Sequence, residues 1–500
     1  MAGRIRTATF LAILFALIVP GIARAEWREA VSPHFIVYSE GSARQLEQFA
    51  TRLEKADQLL RISTGIKENE KITPLRVFLL DNIMDVQALV GSSRAAGFYS
   101  SGQRYAYAVA TRRNGDGPFD LDAQSILLHE YAHHFMFQYF PAAYPAWYVE
   151  GFAEFYSTMK FKPDDSIEFG LVPMYRAPGL LINSVYPVAK LLASRPAGLS
   201  LEEGDRYYGT AWLLTHYLEF NQTRRKELSL YLDALGAGQK PDPELAFAGG
   251  SKALQKELLA YMKSKMKMWV LNGRSFANVP KVSVALLDPA RAALIEDELR
   301  LLRRHDPDKP EAKLALNAKR VRTLAARYPE SAVAATVLAE TELAAEAPDA
   351  ALAAADRAIA LDPKAARAFA VRATVMLDRA KKDDTDADWK AALSAIVKAN
   401  RADLEDPVPL VLYHAYHQAK GGPVPEVAYD GLYKAFSILP QNSDYRILLA
   451  HEMADRGEFT RASRLLDPIA YSPHESALRA YAIKLKGGLD AKAGQAAPKP

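Results

Sequence analysis

The segment Ile126–Phe135 reads ILLHEYAHHF and places two histidines four residues apart, with a glutamate directly after the first. Residues i and i+4 of a helix lie on one face, so His129 and His133 can present their imidazoles to the same metal ion. In this His-Glu-x-x-His pattern, the carboxylate of Glu130 lies beside the metal's open position, where it can take a proton from bound water. The pattern therefore predicts a metal site with a general base.

The helix that carries this motif is predicted to begin near Asp122 or Ser125 and to end before Pro141. Pro141 and Pro145 interrupt the chain, and a second helix is predicted from about Val149. The two helices should therefore flank a short turn.

The second helix contributes two carboxylates, within the sequence WYVEGFAEF. Glu150 and Glu154 are one turn apart and lie on the same helical face. Because the chain contains no cysteine, a zinc ion would have to be held by nitrogen and oxygen ligands. The two histidines and these carboxylates supply three ligands and a spare carboxylate.

The segments HEYAHHF and WYVEGFAEF resemble the gluzincin metallopeptidases, and more closely the peptidase MA-like domains of exported bacterial proteins. The resemblance implies that His129, His133 and Glu150 bind Zn²⁺ and that Glu130 is the catalytic base. It also implies that Glu154 hydrogen-bonds a ligand histidine, His129 in the first instance, and fixes its tautomer. The expected activity is zinc-dependent hydrolysis of peptide bonds.

The resemblance extends over residues 27–269, weakly at first and strongly from Ser125 to Tyr156, and it includes the segment YYGTAWLLTHYL. It implies that Tyr208, or else Tyr207, points its hydroxyl at the oxyanion, with His216 as an alternative donor. Gluzincins also pair an extended peptide with an edge strand upstream of the motif helix. The predicted strand Arg104–Thr111, RYAYAVAT, is expected to play that part.

The composition and spacing divide the chain into parts. At 500 residues it exceeds what one hydrophobic core usually organises. We predict an α+β gluzincin-like metallopeptidase domain followed by an all-α domain of helical repeats. The predicted ranges are a signal peptide at 1–25, the metallopeptidase domain at 26–274, a linker at 275–290, the repeats at 291–487 and a low-complexity tail at 488–500.

The repeat prediction depends on prolines that end helical stretches at 33, 34 or 44-residue intervals. These are Pro329, Pro363, Pro407, Pro440 and Pro473. Together with small residues where paired helices would cross, this spacing resembles tetratricopeptide repeats, with a generic helical bundle as the alternative. Such repeats form concave docking surfaces for a protein partner.

The first 25 residues have the features of a secretory signal peptide. Arg4 and Arg6 precede the apolar run TATFLAILFALIV, and the small-residue site Ala23–Ala25 follows. The alternative, an uncleaved anchor, is disfavoured because the run is well below the ~20 residues that span a bilayer. Removal would lower the formal charge from +4 to about +1, which implies no nucleic-acid partner. We predict a bacterial periplasmic or secreted protein, cleaved after Ala25.

The remaining histidines of interest lack ligand spacing and are predicted to be structural or surface residues. They are His134, which points off the metal face, and His305, His414, His417, His451 and His474.

Two functions are consistent with the sequence. The first is an exported zinc peptidase whose repeats bind a partner or substrate. The alternative is a periplasmic interaction protein in which the repeats are the function and the peptidase-like domain is an inactive scaffold. The intact ligand set and Glu130 favour the first, and the lack of a recognisable anchor for a free amino terminus favours an endopeptidase.

Overall fold

The computed structural model describes residues 26–67, 72–91, 97–112, 122–302 and 310–496. The predicted signal peptide at 1–25 and His305 lie outside the described residues, as does the end of the predicted tail. Within the described ranges, no helix combines the length and the apolar character needed to cross a bilayer.

Nine strands are present in the described part of the chain. They are β1 (Arg28–Val31), β2 (Phe35–Ser39), β3 (Leu75–Leu80), β4 (Gly97–Ser101), β5 (Ala106–Thr111), β6 (Lys160–Phe161), β7 (Ile167–Phe169), β8 (Trp269–Leu271) and β9 (Ser283–Leu286).

The helices before β9 are α1 (Ala43–Thr64), α2 (Ile83–Val90), α3 (Ala123–Tyr139), α4 (Ala146–Ser157), α5 (Ala177–Asn183), α6 (Val188–Ala193), α7 (Leu201–Phe220), α8 (Gln222–Gly236), α9 (Pro243–Ala246) and α10 (Gly250–Tyr261). Those after β9 are α11 (Pro289–Leu302), α12 (Pro310–Ala325), α13 (Ala332–Ala344), α14 (Pro348–Leu361), α15 (Ala366–Asp383), α16 (Asp386–Ala402), α17 (Pro407–Lys420), α18 (Glu426–Ile438), α19 (Ser443–Asp455), α20 (Phe459–Leu465), α21 (Asp467–Ala470) and α22 (Ala477–Ala496). We call α11–α22 the helical array. A mixed α/β part followed by helices agrees with the coarse fold class expected from the sequence.

Six strands form one sheet in the order β4-β5-β3-β2-β1-β9. The β2, β3 and β5 strands run parallel to one another, whereas β4, β1 and β9 pair antiparallel with their neighbours. Successive side chains of a strand point to opposite faces, so Val77 and Phe78 enter different apolar clusters. The cluster around Val77 includes residues of α1 and α3, and the cluster around Phe78 includes residues of α2 and α11. The sheet is therefore covered on both faces.

The predicted linker contributes to this sheet. Its residues 283–286 form β9, which pairs with β1, and Ile295 and Leu299 of α11 are buried against the sheet. The sequence prediction missed this strand because SVAL is short and lies far along the chain from the strand with which it pairs.

The strand expected at Arg104–Thr111 forms as β5, but it is not an edge strand. It pairs with β3 on one side and with β4 on the other, so β4 is the edge. The sequence of β4, GFYSS, has no alternating apolar pattern, and all five of its residues are only partly buried. That is why the periodicity did not reveal it.

The motif helix α3 begins at Ala123, with Asp122 as its N-cap, and ends at Tyr139, as the sequence predicts. The Asp122 side chain accepts a hydrogen bond from the backbone N–H of Ser125 at 2.8 Å, which satisfies one unpaired donor of the first turn. The α4 helix begins at Ala146, three residues earlier than expected. Pro145 serves as its N-cap in extended conformation.

A buried polar network fixes α3 to α1. The Tyr131 hydroxyl donates to Asp57 Oδ1 at 2.6 Å, and Arg61 Nε donates to Asp57 Oδ2 at 2.6 Å. His34 Nδ1 lies 2.7 Å from Glu54 Oε2 in the same network. Because Tyr131 follows Glu130 directly, this network sets the rotation of the motif helix.

The predicted tail is in part helical. The α22 helix continues to Ala496, and Leu489 is buried with Ala482 on one face. The tail predicted to have no packing pattern is therefore helical as far as Ala496 and packs through Leu489, whereas residues 490–495 are exposed apart from the partly buried Ala493. Alanine and lysine have high helix propensity, and Leu489 gives the helix an apolar contact that composition alone concealed.

Replacing Tyr131 by phenylalanine should lower the free energy of unfolding by about 1–3 kcal/mol, because the buried Asp57 loses a hydrogen-bond donor. Urea denaturation followed by circular dichroism measures the change. The matched control is Tyr433→Phe, at an exposed position of α18, which should change stability by less than about 0.5 kcal/mol. Equal losses in both variants would contradict this role of the network.

Candidate metal centre

Two imidazoles from α3 form one wall of the candidate site. His129 Nε2 and His133 Nε2 are 3.1 Å apart, and the ring planes are inclined at 86°. His133 is buried and His129 is partly buried. The spacing of four residues brings both side chains to one point, as the sequence predicts.

Glu150 completes the set from α4. Its Oε2 atom lies 3.4 Å from His129 Nε2 and 3.5 Å from His133 Nε2, and the residue is fully buried. Ligand atoms bound at roughly 2.0–2.1 Å to a tetrahedral zinc ion are separated by about 3.3 Å. The three predicted ligands therefore have separations that fit one zinc ion.

Several buried atoms of this set lack hydrogen-bond partners among the described residues. They are both carboxylate oxygens of Glu150 and Nδ1 of His133. A buried carboxylate without a donor is costly, and buried charges in proteins are normally paired or coordinate metals. The unpaired oxygens thus favour a cation at this position.

The pKa values of the site residues follow from their mutual proximity. Burial alone would raise the pKa of Glu150, but His133 and His129 outweigh it and hold that pKa well below its usual range. Burial alone would lower the pKa of His129, but the carboxylates of Glu150 and Glu154 outweigh it and raise that pKa to about 9. The carboxylate is therefore anionic and attracts positive charge.

Glu130 is partly exposed and lies next to His129 on α3. Burial and, to a smaller extent, the charge of Glu130 raise the pKa of Tyr99 on the edge strand β4. The Tyr99 hydroxyl lies 3.1 Å from His134 Nδ1, so His134 is turned away from the ligand set. Burial lowers the pKa of His134 to about 3, which is consistent with a neutral structural histidine.

Glu154 is close to His129 but has other partners. Its Oε1 lies 3.9 Å from His129 Nδ1, which is too long for the hydrogen bond that the resemblance implied. The carboxylate instead accepts hydrogen bonds from the Tyr175 hydroxyl at 2.6 Å and from Arg176 Nε and Nη2 at 3.0 and 2.8 Å. Sequence reasoning missed Tyr175 and Arg176, because they lie in a short 3-10 helix, Met174–Arg176, just before α5, and the segment PMYRAP has no recognisable motif.

The two candidate tyrosines on α7 have different surroundings. The Tyr207 hydroxyl donates to the carbonyl oxygen of Ser194 at 3.1 Å, so it is already engaged. Burial and then the charge of Glu150 raise the pKa of Tyr208 and equally that of Tyr207, so only the engaged hydroxyl of Tyr207 separates the two. Gly151 allows α7 to pack closely against α4, because a Cβ at this position would come within 2.1 Å of Thr215 Oγ1 on α7. The geometry favours Tyr208 over Tyr207.

His216 is excluded as the alternative donor by its contacts. Its Nε2 lies 3.0 Å from the carbonyl oxygen of Lys267, and its Nδ1 lies 2.9 Å from the Tyr261 hydroxyl. Both ring nitrogens are therefore engaged away from the ligand set.

A second group of potential ligands lies beneath the motif helix and consists of His34, Glu54 and Asp57. The guanidinium of Arg61 forms an ion pair with Asp57 at 2.6 Å, and His34 is paired with Glu54. The charges of these groups are balanced by ion pairs within the cluster, so the cluster is structural.

His474 was predicted to be a structural or surface residue. Its side chain is exposed, yet its Nε2 lies 3.6 Å from Oε1 of Glu150. Sequence reasoning missed this approach, because His474 lies in the loop before α22 and has no sequence spacing that relates it to the motif helix.

Neither the comparison with protein-family models nor that with curated proteins gives a match for this chain. The case for a function therefore depends on the site residues themselves.

Substitution of His133 by alanine should weaken zinc binding by more than about 100-fold, since loss of a direct ligand should exceed the roughly 10–100-fold effect of losing an outer partner. Titration against a chromophoric chelator measures the dissociation constant. His134→Ala, the neighbouring buried histidine, is the matched control and should keep one zinc per chain. Retention of the metal by His133→Ala would refute the ligand assignment.

Proposed function

We propose that this chain is an exported zinc-dependent peptidase and that its helical array binds a substrate or a partner protein. The observation that carries the proposal is the convergence of three ligand atoms from two helices. Glu150 Oε2 lies 3.4 and 3.5 Å from the Nε2 atoms of His129 and His133. Export is proposed from the sequence at 1–25, and it implies the bacterial periplasm or the extracellular medium.

Glu130 is the carboxylate best suited to move protons in this site. When bound, zinc supplies Lewis acidity, which makes a water molecule more acidic and polarises a substrate carbonyl. The Glu130 carboxylate accepts a proton from the attacking water and returns it to the leaving amine nitrogen. Glu154 is unsuitable for this step, because Tyr175 and Arg176 occupy both of its oxygens.

Tyr208 is proposed to stabilise the oxyanion that forms on the substrate carbonyl. A tyrosine hydroxyl is protonated at neutral pH and can donate a hydrogen bond, and burial raises the pKa of Tyr208 further. The Arg176 guanidinium lies 4.8 Å from the centre of the Tyr208 ring and holds the ring in place from the side of Glu154.

The β4 strand is proposed as the binding edge for an extended peptide. One of its sides pairs with β5, and it is the outer strand of the sheet order. The Tyr99 hydroxyl on β4 lies 3.1 Å from His134 Nδ1 of α3, so a peptide that pairs with this edge would run beside the helix that carries the proposed base. Binding along an edge does not require a free amino terminus, which favours endopeptidase activity.

The variant Glu130→Gln should retain one zinc ion per chain and lose hydrolysis by about 10²–10⁴-fold, because the amide cannot accept the proton. Cleavage of a random mixture of internally quenched peptides measures the rate, and elemental analysis measures the zinc. Zinc binding with no cleavage by either the unaltered chain or the variant would favour the inactive scaffold instead.

The neighbouring tyrosines provide a matched pair of variants. Tyr208→Phe should lower kcat by about 10–100-fold with KM and zinc content nearly unchanged, since its hydroxyl acts mainly in the transition state. Tyr207→Phe should leave kcat nearly unchanged and lower the free energy of unfolding by about 1 kcal/mol through loss of the bond to Ser194. The opposite pattern would assign the oxyanion role to Tyr207.

A further inference from the structure

The helical array contacts the preceding α/β part of the chain at two places. At the first, Asn442 Nδ2 donates to the carbonyl oxygen of Gly102 at 2.7 Å, and the Tyr445 hydroxyl donates to the carbonyl oxygen of Gln103. These contacts reach the turn between β4 and β5, beside the motif helix. The array is therefore anchored at the sheet edge next to the site.

The other attachment is made by the end of the array. Arg464 Nη2 donates to the carbonyl oxygen of Ala237 at 2.7 Å, just after α8. Lys240 Nζ lies 3.4 Å from Asp490 Oδ2 of α22. The loop 471–476, which joins α21 to α22 and carries His474, lies in sequence between Arg464 and Asp490.

His474 faces the side of Glu150 that the other two imidazoles do not reach. Oε2 of Glu150 is directed at His129 and His133, whereas Oε1 lies 3.6 Å from His474 Nε2. Oε1 has no hydrogen-bond partner among the described residues, although Glu150 is fully buried. The His474 side chain is 67% exposed, so it is free to move by the few tenths of an ångström that a hydrogen bond would need.

We propose that His474 is a positioning residue of the metal centre, supplied by the helical array. A neutral imidazole with its proton on Nε2 donates to Oε1 of Glu150 and leaves Oε2 for the metal. Carboxylates that bind a metal through one oxygen are normally hydrogen-bonded at the other, which orients them and strengthens the site. The inference rests on the proposed zinc site and adds a fourth side chain to it.

This arrangement links the array to metal binding. Any ligand that moves the loop 471–476 away from Glu150 would remove the donor and weaken zinc binding, and zinc would in turn favour the docked loop by the same factor. The helical array would thus contribute to zinc binding as well as to the docking of a partner.

The test compares three variants of the full chain by their zinc dissociation constants. His474→Ala should bind zinc about 10–100-fold more weakly, the usual effect of losing an outer partner of a ligand. His474→Gln keeps an N–H donor of similar reach and should recover part of the loss. His451→Ala replaces another exposed histidine of the array, whose Nε2 lies 2.7 Å from the Tyr481 hydroxyl, and should leave the constant unchanged.

X-ray absorption at the zinc edge provides a second readout that does not depend on activity. The proposal predicts two imidazole ligands in the unaltered chain and the same two in His474→Ala. Three imidazoles that fall to two in His474→Ala would overturn it, because His474 would then bind the metal directly. An unchanged dissociation constant in His474→Ala would also overturn it. A chain that takes up no zinc in any form would refute the proposed function and this inference together.

Discussion

The geometry of the candidate metal centre depends on a buried carboxylate that has no hydrogen-bond donor among the described residues. Glu150 is fully buried, its pKa is held low by His133 and His129, and neither of its oxygens accepts a hydrogen bond from the described residues. Such a group is expensive to bury unless a cation balances it. Separations of 3.1–3.5 Å between the ligand atoms are those of one tetrahedral ion. The burial and the ligand separations are therefore those expected of a site for a divalent metal ion.

A separate packing contact positions each of the two helices, α3 and α4, that carry the candidate metal ligands. Tyr131 and Asp57 fix the rotation of α3, so that His129 and His133 face inward. Gly151 lets α7 approach α4 beside Glu150, where a methyl group would collide with Thr215. Tyr131 is adjacent in sequence to Glu130, and Gly151 is adjacent to Glu150. Small shifts in the packing of these two residues would therefore displace the side chains of the candidate metal centre.

The sequence predicted those features of the site that are local. His129 and His133 share a helical turn, Asp122 has a capping side chain, and the Glu150 helix follows directly. Features made by tertiary approach were missed, because no periodicity records them. Arg176 binds Glu154 from the short 3-10 helix before α5, and His474 approaches Glu150 from the loop before α22. The β4 and β9 strands were missed because their sequences are short and do not alternate, although they form the two edges of the six-stranded sheet.

The central claim is that one metal ion is held between α3 and α4, and anomalous diffraction at the zinc edge tests it most directly. Crystals of the zinc-loaded chain should give a single strong anomalous peak about 2.0–2.1 Å from His129 Nε2, His133 Nε2 and one oxygen of Glu150. The absence of a peak there, or a peak at His34, Glu54 and Asp57 instead, would contradict the account.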